Sequence, residues 1–237
     1  MANLELKEVR TRDGLYVVTY GHLKRPVDVQ VLTFAANGLD TISPAEKGML
    51  MAGIDKSPFT LDSMTSMDVF YDKRDGGKVV LARGMPISQL FLSDLVAAHR
   101  QGREFVVPED MRCNVYDAID TMLKKGSAFA ANYGTLTTPA NRLGEEGVTN
   151  FIYSDPSLGI AAKTFGDWLA EQRSYHFTVF DSEGYAARQL GPYITLLGLG
   201  SPKGDFSAGG EGKILAGVVG AFGVLIKKST QGGEKVR

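Results

Sequence analysis

Residues 193–226 read YITLL (193–197), GLGSPKGDFSAGGEGK (198–213) and ILAGVVGAFGVLI (214–226). Two apolar runs joined by a polar, glycine-rich segment are typical of two buried strands and their connection. The second run has 13 residues, whereas a helix that crosses a bilayer needs about 20. Its glycines at positions 217, 220 and 223 favour a strand with bulges over a helix. We therefore predict a hairpin that is buried in protein and has a long connecting loop.

The glycine-rich loop 198–213 has the composition of a phosphate-binding loop but not its register. A P-loop requires G-x-x-x-x-G-K-[ST] before a helix. Here Ser207 stands in place of the first glycine, and Ile214 in place of the final serine or threonine. Lys203 likewise replaces the last glycine of the dinucleotide-binding pattern G-x-G-x-x-G. The sequence therefore predicts no cofactor site, and the tip of the loop, Lys203 to Phe206, is interpreted as a candidate contact with a partner.

The N-terminal third carries the pattern of strands around one helix. Asp13-Gly14 predicts a tight turn between two strands, and Val27, Val29 and Val31 recur with the period of two that is typical of a third strand. Segments 67–71 and 78–82 flank a charged turn and predict a second hairpin.

The sequence predicts the starts of three helices. Ser43-Pro44-Ala45-Glu46 combines a cap, a proline at the first helical position and a glutamate that can reach back to the cap. Further helices are predicted after Pro86 and Pro108, and the second of these should end at Gly126.

The remainder of the chain is read from weaker patterns. Residues 127–148 show little periodicity and predict a long loop, which is also the one candidate for a sub-boundary in an otherwise single domain. Segments 149–153, 175–180 and 185–190 predict strands, and Asp155-Pro156 predicts the start of a helix that ends near Gln172.

Taken together, these elements predict an α+β fold. We expect a mostly antiparallel sheet built from N- and C-terminal strands, with three or four helices packed on one side. The order of strands, then helices, then strands argues against a doubly wound parallel sheet.

Composition excludes several functional classes. The 237 residues carry 26 basic and 27 acidic side chains, a net charge of -1, which gives no global attraction to nucleic acid or to an anionic membrane. A single cysteine rules out an intrachain disulfide framework and a thiolate-rich zinc site. The start, MANLELKEVRTRDG, has no signal-peptide pattern. These features predict a protein without a membrane span that is made or assembled in the cytoplasm.

Candidate reactive groups are few. His22, His99 and His176 are scattered, and none has an i, i+4 partner for a helical metal site. Cys113 is interpreted as a half-buried packing residue, because Glu109 and Asp110 oppose formation of a thiolate. Three carboxylate pairs are interpreted as solvated or turn residues and not as metal ligands: Asp117/Asp120, Glu145/Glu146 and Asp181/Glu183. We predict no catalytic or metal site from spacing alone.

Three functions remain open at this point. The first is a non-enzymatic structural subunit that self-assembles into a homo-oligomer or larger shell, such as a virion or tail component. The second is a nucleic-acid-binding component of a ribonucleoprotein-type complex, with contacts from the glycine-rich loop and the basic tail; its contact residues would be Lys203, Phe206, Lys213, Lys227 and Lys228. The third is an enzyme whose site assembles His176, Arg188 and Asp181.

Overall fold

A computed structural model describes residues 4–72, 78–101, 105–132, 134–145, 147–180, 192–200, 206–210 and 220–229. The predicted strand at 185–190 lies outside these ranges. The described residues contain eleven β-strands and six α-helices. The strands are β1 (Lys7–Arg10), β2 (Tyr16–Leu23), β3 (Asp40–Thr41), β4 (Ser63–Asp72), β5 (Lys78–Arg83), β6 (Ala128–Asn132), β7 (Gly134–Pro139), β8 (Tyr175–Phe180), β9 (Tyr193–Gly200), β10 (Phe206–Gly210) and β11 (Gly220–Lys228). The helices are α1 (Val27–Ala36), α2 (Pro44–Gly53), α3 (Leu92–Arg100), α4 (Arg112–Lys125), α5 (Gly147–Tyr153) and α6 (Ala162–Glu171).

All eleven strands belong to one mixed sheet. Its main path runs β1-β2-β11-β4-β9-β10-β8-β7, with β3 beside β11, β5 beside β4 and β6 beside β5. Strand β4 pairs in parallel with β11, and β8 pairs in parallel with β10. The prediction of a mostly antiparallel sheet with three or four helices is therefore wrong: the sheet is mixed, and the described residues form six helices.

The helices cover both faces of the sheet, which corrects the prediction that they pack on one side. Along β4, Val69 and Tyr71 enter one core, and Phe70 between them enters the other. Strand β9 behaves in the same way, with Leu197 in the first core and Leu196 in the second. Helices α2, α5 and α6 supply the first core, and α1, α3 and α4 supply the second. Central strands that are apolar on both faces require a layer of helices on each side.

Segment 27–36 is helix α1, so the predicted third strand is wrong. Its buried residues are Val27, Gln30 and Phe34, which have the i, i+3, i+7 spacing of a helix face. The alternating valines have the pattern of a strand. In the structure, however, the Phe34 ring packs against the backbone of Gly223 in β11, where a Cβ would collide with that ring. The decisive contact is distant in sequence and leaves no local signal.

The predicted loop 127–148 contains strands β6 and β7, and the predicted strand 149–153 belongs to helix α5. Strand β6 pairs with β5, and β7 pairs with β8. The paired residues lie 36 to 54 positions apart in sequence, so tertiary contacts outweigh the weak local propensity of these segments. Helix α6 begins at Ala162 and not at Asp155.

The predicted hairpin of 193–197 and 214–226 is wrong. Among the described strands, β9 and β11 each pair with β4 and not with each other, and residues 206–210 of the predicted loop form strand β10, which pairs with β9.

Three other local predictions are confirmed. Ser43 and Glu46 form the capping box of α2, with distances of 3.2 Å from the Glu46 amide to Ser43 Oγ and 2.8 Å from the Ser43 amide to Glu46 Oε2. Gly126 ends α4 in the left-handed conformation, with φ of 72°. Strands β4 and β5 form the predicted hairpin. Features that depend on a few neighbouring residues are thus predicted correctly.

We predict that Gly166→Ala destabilises the protein although alanine is the better helix former by about 1 kcal/mol. A Cβ at Gly166 would overlap the carbonyl oxygen of Ala140, where α6 packs against the short helix Ala140–Arg142. We expect a loss of about 2 kcal/mol or more in the free energy of unfolding, measured in urea. Gly53→Ala is the matched control, since its Cβ would lie 3.5 Å from Thr11 in ordinary contact. Equal stability of the two variants would contradict this packing.

Candidate functional site

The larger of two described cavities is an open groove of about 550 Å³. We call it the Trp168 groove, after the only tryptophan in the chain. Its floor is apolar: Met51 and Ile54 are buried, and Trp168 is half-buried. Its rim is exposed, polar and charged, with both signs present; the rim residues are Arg12, Asp55, Lys56, Thr60, Glu171 and Gln172.

The ends of two helices shape this groove. Helix α2 stops at Gly53, and the chain turns through Lys56 with a positive φ of 49° before reaching Ser57. Ser57 fixes that turn, because its hydroxyl donates to the Leu50 carbonyl at 3.0 Å and accepts from the Phe59 amide at 3.3 Å. Helix α6 ends at Glu171 on the other side. The groove is therefore built on rigid elements.

Arg12 joins the N-terminal turn to the end of α2. Its backbone amide donates to the Gly53 carbonyl at 2.8 Å, and its guanidinium donates to the Ala52 carbonyl. The same guanidinium lies 3.4 Å from a carboxylate oxygen of Asp55. Below the rim, the Trp168 ring stacks on Phe165 with centroids 5.9 Å apart. The indole is thus held in place and keeps part of its surface exposed.

A second cavity of about 300 Å³ lies between β3, the start of α2 and the end of α5. Arg83 lines it and donates to the carbonyls of Phe151 (2.8 Å) and Ser154 (3.0 Å), so it caps the end of α5. Burial raises the pKa of Glu46, and the nearby Asp155 raises it further, whereas its hydrogen bonds with Ser43 lower it. The polar groups of this cavity therefore hold helix ends.

Lys47 is fully buried on α2. Its Nζ donates to Leu61 O at 2.8 Å, Ser63 Oγ at 2.8 Å and Leu199 O at 3.0 Å. Burial lowers the pKa of Lys47 to about 7, and Asp62 opposes that shift. Three acceptors match the three protons of an ammonium group. The side chain therefore ties α2 to strands β4 and β9.

Asp68 lies on β4 and is also fully buried. Its carboxylate accepts from the backbone amides of Ile87 at 2.7 Å and Ser88 at 3.2 Å. Burial raises the pKa of Asp68 to about 6, against the lowering effect of these hydrogen bonds. The carboxylate thus satisfies the amides at the start of the short helix Ser88–Phe91, which leads into α3.

His176 is fully buried on β8, and its Nε2 lies 2.8 Å from the hydroxyl of Tyr153 on α5. Burial lowers the pKa of His176 to about 3. The imidazole is therefore neutral at pH 7 and pairs with the tyrosine hydroxyl inside an aromatic cluster that includes Phe165 and Phe206. This pair links α5 to the sheet and has no surface open to a substrate.

The structure describes only some of the residues that the sequence suggested. Lys203, Lys213, Asp181, Glu183 and Arg188 lie outside the described ranges, so their contacts stay predictions. Phe206 is buried, which suits a core residue and not a contact surface. Lys227 and Lys228 are exposed at the end of β11.

The other candidate reactive groups named from the sequence are mostly surface residues, and they form no reactive site among the described residues. Asp117 and Asp120 are exposed, and Glu145 pairs with Arg142 at 2.6 Å. Cys113 is exposed, so its predicted half-burial is wrong. His22 is exposed and contacts the ring of Phe222, and for His99 only the backbone, in α3, is described. No group of three or more potential metal ligands occurs among the described residues.

Sequence reasoning missed Lys47, Asp68 and Trp168. Lys47 and Asp68 are ordinary charged residues in the sequence, and their burial follows from long-range packing. Trp168 is the single tryptophan of the chain, which is the one sequence feature that distinguishes it.

Comparison with known proteins bears on the fold alone. No family model and no curated protein matches the chain. A solved structure that demonstrates "accommodation of massive sequence variation in Nanoarchaeota by the C-type lectin fold" aligns with a TM-score of 0.53 over 96% of this chain and 99% of that one. The chain resembles C-type lectin domains in fold. At 10% sequence identity, the likeness carries no information on ligands. No helix in the described part of the chain has the length and apolar character that a bilayer span requires.

We predict that His176 makes the protein sensitive to acid. Its pKa is lower in the folded state, about 3, than in the unfolded chain, about 6.5. The unfolded chain therefore binds more protons between these values, and stability is lost as pH falls below about 6.5. Between pH 7 and pH 5 the loss from this group is about 2 kcal/mol. Urea titrations of His176→Gln should show a pH dependence that is smaller by this amount.

Asp68→Asn is the comparison variant, because the titration of Asp68 changes stability with pH in the opposite direction to that of His176. The folded pKa of Asp68 is raised to about 6, so its contribution to stability falls as pH rises between about 4 and 6. In Asp68→Asn this titration is absent, so the free energy of unfolding that is lost between pH 7 and pH 5 should be larger than in the wild type by about 1 kcal/mol. The assignment of these groups is refuted if both variants keep the wild-type pH dependence.

Proposed function

We propose that the protein is a non-enzymatic binding protein that recognises a partner protein through the Trp168 groove. The observation that carries the proposal is the composition of the groove: an apolar floor that includes Trp168 and an exposed rim of polar and charged residues. Protein interfaces have this anatomy, with an apolar centre, a polar rim and enrichment in tryptophan, methionine and arginine.

The interior supports the non-enzymatic part of the proposal. Lys47, Asp68 and His176 have the strongly shifted pKa values that catalysis often uses. None of the three lines either described cavity. Each instead satisfies hydrogen bonds between elements, which gives a rigid frame.

The fold is compatible with partner selection at the surface. The nanoarchaeal structure shows a C-type lectin fold that accommodates massive sequence variation. A frame held together by interior contacts leaves its surface residues free to change and to select partners. Rim residues such as Glu171 and Gln172 are suited to that task in this chain.

The test is a selection of peptides from a random library on the immobilised protein, followed by binding measurements on variants. We expect selected peptides to change the fluorescence of Trp168, which reports on the groove alone since the chain has no other tryptophan. Affinity should fall at least tenfold in Trp168→Ala and Glu171→Lys, the second of which alters only the exposed rim.

Leu32→Ala is the control, because Leu32 is 68% exposed on α1, on the other side of the sheet. Peptides that bind it as tightly as the wild type, and that lose affinity for the groove variants, support the proposal. Peptides that bind all variants equally would exclude the groove as the recognition surface. Thermal unfolding of each variant separates lost affinity from lost folding.

The other functions stay predictions. Self-assembly stays a prediction, for which the edge strand β7 is a candidate surface. Nucleic-acid binding depends on Lys203, Lys213, Lys227 and Lys228, of which only the last two are described. The enzyme hypothesis required His176 in an accessible site, and His176 is fully buried. A cytoplasmic site of assembly likewise remains a prediction.

A further inference from the structure

Strand β7 is the last strand on the main path of the sheet. Among the described strands, only β8 pairs with it. Its six residues, Gly-Thr-Leu-Thr-Thr-Pro, carry no charge, and four of them are exposed. The outer backbone N–H and C=O groups of such an edge are a template for another strand.

The opposite end of the same sheet is protected. Strand β1 exposes Lys7, Glu8 and Arg10, and charged side chains are a common defence against pairing between edges. The uncharged strand β6 is contacted by α4 and α5, which belong to opposite faces of the sheet. Strand β7 lacks the charge that blunts β1.

We propose that β7 pairs with β7 of a second copy of this chain, antiparallel and about a two-fold axis at Leu136. The two Leu136 residues then face each other, Thr135 faces Thr137 of the other copy, and Gly134 faces Thr138. Residues directly opposite each other must share a face of the continuous sheet. This register meets the rule, because Thr135 and Thr137 are exposed, whereas Leu136 and Thr138 point toward the core side and are half-buried and buried.

Alternative registers are worse. A shift of one residue would place the solvent-facing threonines of one copy opposite the core-facing residues of the other. A shift of two residues toward the end of the strand would use Pro139, which has no N–H to donate. The register centred on Leu136 avoids both faults and brings two Thr–Thr pairs together, a favourable cross-strand combination.

The occupant is a second copy because the strand is complementary to itself. With no charge over Gly134–Pro139, the two-fold pairing opposes no like charges. A strand of six residues spans about 20 Å, so the contact is small and should give a reversible dimer. This inference specifies the surface for the self-assembly hypothesis and is independent of the Trp168 groove.

The first test is the molar mass of the full chain by sedimentation equilibrium over a wide concentration range. We expect the mass to rise from 25.6 kDa toward twice that value as concentration increases. Thr137→Lys should weaken the dimer at least tenfold, since it places a charged side chain on the pairing edge of each copy, which is the protection that β1 carries. Thr137→Val keeps the edge uncharged and should leave the dimer as tight as the wild type or tighter.

A cysteine cross-link tests the register. In a Cys113→Ser background, which removes the only native thiol, Leu136→Cys should form a disulfide-linked dimer under mild oxidation. Thr137→Cys in the same background should not, since its counterpart faces Thr135. A wild-type chain that stays monomeric, equal masses for the lysine and valine variants, or equal cross-linking of the two cysteines would overturn the proposal. Trp168→Ala should leave the dimer unchanged, so failure of one proposal is distinguishable from failure of the other.

Discussion

The structure depends on one constraint: strands β4 and β9 are apolar on both faces and must be buried on both. Val69 and Tyr71 belong to one core and Phe70 to the other, and β9 repeats the pattern with Leu197 and Leu196. Each face therefore needs its own layer of helices. Helices α2, α5 and α6 form one layer and α1, α3 and α4 form the other, which accounts for the position of every helix described above.

Polar groups trapped in such an interior must find partners, since an unpaired buried polar group costs about 1–3 kcal/mol. Lys47 meets three acceptors from β4, β9 and the segment before β4. Asp68 receives two amides from the segment before α3, and His176 pairs with Tyr153. These side chains fix the connections between the layers. None of these three groups lines the Trp168 groove, which lies at the surface with an apolar floor and a polar, charged rim.

The parts of the fold that could be read from sequence are those encoded by adjacent residues. The capping box at Ser43, the left-handed stop at Gly126 and the β4–β5 hairpin each depend on neighbours within a few positions. Segment 27–36 and strands β6 and β7 depend on distant partners, and their local patterns pointed elsewhere. The burial of Lys47 and Asp68 could not be predicted for the same reason, because charged residues are buried only when tertiary contacts satisfy them. The groove is lined by residues from separate segments between Arg12 and Gln172, and no local motif could have predicted that they come together.

We infer that the buried ionisable groups serve as structural ties. Hydrogen exchange tests this at the amides of Ile87 and Ser88, which precede α3 and donate to the Asp68 carboxylate. If the claim holds, these two amides exchange nearly as slowly as those of β4 and β9, because they open only when the core opens. Exchange as fast as that of an exposed turn, such as the one at Gly14, would contradict it.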